Sequence, residues 1–170
     1  MDNDFHTFRG YQLRSQTHQP LTPSMEDYLE MIYRNCLNEG HARISHLAGQ
    51  LNVRASSTTK IVQKLAELGF LQYRPYGIVQ LTKQGTRAGS FLLHRHKVLQ
   101  EFLQNLGLTD TLLQDTEMLE HHISLPLLES LEAFLLFLKE QPDFLEDFTA
   151  FRQSLTKPET ASGETKIPGT

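Results

Sequence analysis

Residues 44–82 read ISHLAGQLNVRASSTTKIVQKLAELGFLQYRPYGIVQLT, and their apolar periodicity changes midway. In ISHLAGQL, Ile44, Leu47, Ala48 and Leu51 fall at helical spacing and form an inward face. Asn52 and Val53 make a tight connection. SSTTKIVQKLAEL is a second helix, capped by serine and ended at Gly69. FLQYR and IVQLT then alternate with a period of two, and Pro75-Tyr76-Gly77 between them marks a turn, so they form a small hairpin. Helix, turn, helix and hairpin make a winged helix-turn-helix.

The second helix carries Ile61, Val62, Leu65 and Leu68 on one side. Ser56, Thr59, Lys60, Gln63 and Glu67 take the other. Hydroxyls, an amide and cations at a helix start suit the edges and phosphates of a DNA major groove. Arg54, Ser57 and Lys64 extend that surface, and Arg74 and Tyr76 on the hairpin are placed for backbone contact. Charge supports the reading. Residues 41–85 hold six Lys and Arg side chains against one acid, Glu67, a local +5; the whole chain is −4, so the remainder is −9. A basic module in an acidic body points to a polyanion partner met locally.

The flanks complete the organisation. Residues 1–21 are polar and aperiodic and are expected to form a flexible arm. TPSMEDYLEMIYRNCLNEG (22–40) is a helix with Thr22 or Ser24 as cap and Gly40 as stop. Its apolar stripe is Met25, Tyr28, Leu29, Ile32 and Tyr33. The chain returns to helix near Lys83. TKQGTRAGSFLLHRHKVLQEFLQNLG ends at Gly107, TDTLLQDTEMLEHHIS follows, and LLESLEAFLLFLKEQ is too apolar to stand fully exposed. PDFLEDFTAFRQSL is a last amphipathic piece, and TKPETASGETKIPGT is expected to be disordered. The expected fold is mainly α. A flexible extension (1–21) precedes a winged helix-turn-helix domain (22–84), an all-helical domain (85–155) that is apolar as a dimerisation region would be and that carries the metal-binding candidates taken up below, and a disordered tail (156–170).

Of 170 residues one is cysteine, Cys36, which fits a reducing compartment. No apolar run approaches the ~20 residues that span a bilayer, and residues 1–10 lack the order of a signal peptide. The expectation is a cytoplasmic protein without a membrane partner or a small-molecule substrate.

Three helices carry unexplained polar residues. Asp27 and Glu30 lie one turn apart, off the apolar stripe of their helix. Glu117, Glu120 and His121 share one face at i, i+3 and i+4, a compact oxygen and nitrogen ligand set; His122 falls with Met118, Leu119 and Ile123 on the packed side. His94 and His96 flank the apolar face of the 85–106 helix, and periodicity does not choose between them. A carboxylate-bridged di-metal enzyme is one alternative, but Glu117 and His121 are four apart where such bundles use Glu-x-x-His twice. A metal-independent helix-turn-helix regulator that senses a small molecule is another.

TPSMEDYLEMIY, SSTTKIVQKL, HRHKVLQEFL and EMLEHHIS, in this order, resemble the diphtheria toxin repressor family of metal-dependent repressors, most closely its manganese transport regulator branch. The resemblance runs from about Thr22 to about Phe151. It implies a repressor that binds a palindromic DNA operator as a homodimer when Mn²⁺, two ions per subunit, is held by Asp27, Glu30, His96, Glu117, Glu120 and His121. It selects His96 over His94 and His121 over His122. Iron-responsive relatives have methionine and cysteine at the positions of Asp27 and Glu117, and they add an SH3-like domain that this sequence lacks. The polar extension before Thr22 departs from the branch. The charges imply a switch: without metal the four carboxylates repel and the first helix stands off from the dimer body or moves more freely, and with metal it is pinned.

Overall fold

The computed structural model describes residues 21–156; residues 1–20 of the expected arm and 157–170 of the expected tail lie outside the described residues, while Thr156, expected in the tail, is helical. Helix α1 (Pro23–Glu39) starts where Thr22 Oγ1 accepts from Met25 N–H at 3.3 Å, with Pro23 pre-set for the first turn. It ends at Gly40, whose φ of 73° favours a residue without a Cβ. Leu21, read from sequence as the end of the arm, is buried in the core.

A two-residue strand β1 (Ala42–Arg43) leads into α2 (Ile44–Gln50). Asn52 turns the chain at φ 51°, and α3 (Ala55–Glu67) follows. Asn tolerates this left-handed conformation better than most residues. Strand β2 (Leu71–Arg74), a short turn at Pro75–Gly77 and β3 (Ile78–Leu81) form the hairpin. The sheet has three antiparallel strands in the order β1-β3-β2, with Tyr73 opposite Val79 and Ala42 on its other side. The sequence reading missed β1, because two residues are too few to show alternation.

Helix α4 (Lys83–Asn105) is capped by Thr82, which accepts from Gly85 N–H. It is followed by α5 (Leu112–Glu120), α6 (Leu125–Glu140), capped by Ser124, and α7 (Pro142–Thr156). Two cores result. The first joins α1 and α2 (Leu29, Ile32, Leu47) to α3 (Val62, Leu65), the sheet (Val79) and the N-terminal half of α4 (Ala88, Leu92). The second is small: Val98 of α4 with Leu128, Leu135 and Leu138 of α6. Thus α4 runs through both. Where it crosses α1, Gly89 lies against Tyr33; an added Cβ would come within 2.5 Å of the Tyr33 Cβ.

Two local expectations are corrected. Serine does not cap α3: Arg54 stands at the N-cap without a side-chain bond, and Ser56 and Ser57 are exposed in the first turn. Helix α5 stops at Glu120, so His121 is its C-cap and His122 has left it. His122 is therefore exposed, with Nδ1 3.2 Å from Met118 O, and not on a packed side. Met118 and Leu119 are exposed as well.

Candidate functional site

Asp27 and Glu30 sit in the first two turns of α1, His96 in the middle of α4, and Glu120 and His121 at the end of α5. Helix α1 packs along α4, and α5 packs on α4 as well, so three chain-distant pieces meet. Two groups of donors have all their ligating atoms within 4.8 Å of one another: Asp27, Glu120 and His121, and Glu30, His96 and Glu120. Glu120 belongs to both. It is buried, and its Oε2 is 2.9 Å from His96 Nδ1 while its Oε1 is 3.9 Å from His121 Nε2. His121 Nε2 also lies 3.0 Å from Asp27 Oδ1, and His96 Nδ1 lies 3.9 Å from Glu30 Oε1.

Glu30 lies off the apolar stripe yet is buried, because α4 covers that side of α1. Glu117 is exposed and joins neither donor group. It acts on the site through charge: burial pushes the Asp27 carboxyl above its ordinary value, His121 opposes this, and Glu120, Glu117 and Glu26 push it further up. His94 faces Glu132 of α6, so it is His96 that points to the carboxylates.

Three site neighbours escaped the sequence reading. Glu26 Oε2 accepts from Arg95 at 2.8 Å and lies 3.0 Å from His121 Nδ1. A proton on Nδ1 donated to Glu26 leaves the Nε2 lone pair facing Asp27 and Glu120, the usual way a carboxylate fixes a ligating ring. Arg95 is buried, and its Nε has no partner among the described residues. Arg34 donates to Glu30 Oε1 from Nε at 2.9 Å and from Nη2 at 2.6 Å. The arginines follow their partners at one-turn or cross-helix spacing, and a helical wheel does not say which helix covers which face. They also alter the charge balance: five carboxylates, with Glu26 and Glu117, face two guanidinium groups, a net −3. Carboxylates and imidazoles in this mixture fit a divalent ion that favours oxygen, such as Mn²⁺.

On the reading side, Arg54, Ser56, Ser57, Lys60, Gln63, Arg74 and Tyr76 are exposed, while Thr59 and Lys64 are half-buried. Thr59 Oγ1 donates to Ala55 O, Lys64 pairs with Glu67 at 3.2 Å, and Arg74 Nε donates to Gln80 Oε1. Tyr76 stands at the wing tip, 95% exposed, with φ 64°. A buried contact ties the two sites: Tyr28, next to Asp27, has its hydroxyl 3.3 Å from Thr58 Oγ1 of α3.

A winged helix-turn-helix joined through its first helix to a carboxylate–histidine cluster defines a metal-responsive transcriptional regulator. Comparison with known proteins makes this specific. Residues 20–79 match the iron dependent repressor N-terminal DNA binding domain, and residues 82–149 match the iron dependent repressor metal binding and dimerisation domain. The HTH-type transcriptional regulator MntR of Listeria welshimeri is 41% identical over 140 residues, 82% of this chain and 97% of that protein. The MntR of Lysinibacillus sphaericus is 38% identical over 130 residues, 76% of this chain and 94% of its own. Among solved structures, a manganese-dependent transcriptional repressor in complex with manganese is 34% identical with TM-score 0.61, over 66% of this chain and 53% of that one. The manganese regulator SloR is 30% identical with TM-score 0.61, over 69% and 55%. The chain thus spans nearly the whole of the MntR relatives and about half of these two solved regulators. The chain belongs to the diphtheria toxin repressor family of metal-dependent repressors, in its manganese transport regulator branch. It is a transcriptional regulator and not an enzyme, which removes the di-metal enzyme reading.

Proposed function

We propose that this protein is a manganese-dependent repressor that binds a palindromic operator as a homodimer and controls metal uptake genes. The observation that carries the metal half is the sharing of Glu120 between two donor groups that join α1, α4 and α5. A buried carboxylate with one oxygen toward each group suits two ions side by side. Asp27, Glu120 and His121 would hold one, Glu30, His96 and Glu120 the other, with Glu117 completing the negative field. Among the described residues no helix is long and apolar enough to cross a membrane, and we place the protein in the cytoplasm with its DNA.

Bound Mn²⁺ would supply the positive charge that lets carboxylates of α1 and α5 stay close. The residues do the rest. Asp27 and Glu30 hold α1 to α4 and α5. Tyr28 holds Thr58, and so α3 takes its position from α1. Arg54, Ser56, Ser57, Thr59, Lys60, Gln63 and Lys64 then meet a major groove, with Arg74 and Tyr76 on the flanking backbone. Metal and DNA favour the same arrangement, so each raises affinity for the other. The expectation that α1 stands off from the whole body without metal is refined here: α1 shares its core with the N-terminal half of α4, so the joint that charge opens is the one to α5.

The test is a DNA-shift titration on operators selected from random duplexes, run with Mn²⁺, Fe²⁺, Zn²⁺ and Co²⁺. Glu120→Gln should abolish the Mn²⁺ response and keep weak, salt-sensitive binding. An unchanged response in that variant, or equal binding without any metal, would favour a metal-independent regulator instead.

A further inference from the structure

Two arginines enter the metal site, and they differ in one respect. Arg95 is buried, with its side chain 8% exposed, and holds Glu26, which belongs to neither donor group. Arg34 is 38% exposed, and both of its bonds go to Glu30 Oε1, the oxygen that faces His96. The Glu30 carboxylate is itself only 9% exposed. One partner of this pair can swing into solvent and the other cannot.

We infer that Arg34 is a tethered cation that competes with the second metal ion for Glu30. The inference rests on the two-ion reading above. An ion between Glu30, His96 and Glu120 would sit against the Glu30 carboxylate whose Oε1, 3.9 Å from His96 Nδ1, Arg34 occupies, so the guanidinium would share that carboxylate or leave. Sharing sets a unit charge beside a divalent one in a partly buried place, where like charges repel strongly. Leaving gives up a charge-assisted double contact. Either way the ion at Glu30 binds more weakly than its donor set alone would dictate, while among the described residues no guanidinium pairs with the carboxylates of Asp27 and Glu120. Arg34 thus splits the two affinities, and the second step responds only at higher metal concentration. Without metal, Arg34 keeps the buried Glu30 charge paired, which an acidic cluster otherwise leaves open.

The test uses full-length, metal-free protein titrated with Mn²⁺, reading free ion from its solution electron paramagnetic resonance and heat by calorimetry. Arg34→Gln and Arg34→Met should tighten the weaker binding step by roughly 10-fold and leave the tighter step within about 3-fold; Arg34→Lys should stay near wild type. A gain of affinity is not what damage to the fold produces, and two neutral variants guard against the failure of one. If the weaker step is unchanged or looser in both neutral variants, the competition is overturned. Single-step binding in wild type that becomes two-step in the variants supports it; single-step binding of equal affinity in all overturns it. A wild-type protein that takes up no Mn²⁺ overturns the proposed function itself, and Glu120→Gln, which should lose both steps, separates the two failures.

Discussion

The two cores of this molecule are unlike. Fourteen buried residues make the first, from α1, α2, α3, the sheet and α4 together with Leu21 and Phe70. Four residues make the second, and around it Leu127, Phe134, Leu136, Phe137, Phe144, Phe151 and Leu155 of α6 and α7 are exposed in the single chain. The reading half can be stable by its own packing. The C-terminal half keeps several apolar side chains in solvent, and the rings of Phe102, Phe134, Phe137 and Phe144 are linked edge to face or stacked among them; exposed apolar groups that gather in this way mark interaction sites. The first core is complete within one chain, whereas the apolar side chains of α6 and α7 would be covered only in the dimer we propose.

The comparison can be broken most forcefully at the first core. Leu29→Ala removes a fully buried side chain and should lower stability by about 2–5 kcal/mol, seen by thermal or urea unfolding, with little dependence on protein concentration beyond that of wild type. The second core predicts the reverse pattern. Glutamate at Leu127, Leu136, Phe151 and Leu155 together touches only exposed positions, so a monomer would barely notice. We expect sedimentation to show loss of the dimer, and operator affinity to fall roughly 100-fold because two linked readers no longer engage at once. A variant that stays dimeric would show that another face pairs the chains.

A finer test concerns what crosses between the halves. Tyr28→Phe removes one buried hydroxyl contact worth about 1 kcal/mol. It should leave Mn²⁺ affinity in the free protein near wild type and reduce the Mn²⁺-driven gain in DNA affinity by less than about 10-fold. The smallest effect is expected at Asp27. Its carboxyl lies above 3.8 in the folded protein, so the folded state holds that proton longer than the unfolded one. The metal-free protein should lose stability as pH rises from below 3.8 through the raised value. Asp27→Asn should remove that fall, by well under about 1 kcal/mol since the group is half in solvent. With Mn²⁺ added the order should reverse. Melting curves across pH, with and without metal, check both signs.

Much of this was legible in the sequence, and for physical reasons. Thr22, Pro23 and Gly40 bound α1 because capping is local chemistry, and Pro75-Tyr76-Gly77 marks the wing because turns are too. The wheel grouped Glu120 with His121, and the resemblance added Asp27, Glu30 and His96 from other helices. What stayed hidden depends on which helix covers which face. Glu30 looked solvent-facing until α4 was laid over it. Glu26, Arg34 and Arg95 drew no reading at all, since their partners lie one turn away or on another helix. Glu117 was grouped with the donors because spacing shows direction and not reach, and the structure leaves it at the rim.

The contact of Gly89 with Tyr33 has a mechanical consequence. Where two helices touch with no methyl between them, they cannot approach further, and the touching point becomes a fulcrum. Asp27 and Glu30 lie on the longer arm, toward the start of α1, and Thr58 hangs from the same arm through Tyr28. We expect a pull at the metal site to reach the reading helix as a tilt in the same sense. Gly89→Ala would wedge the pivot and change the gearing between metal and DNA while removing a ligand from neither.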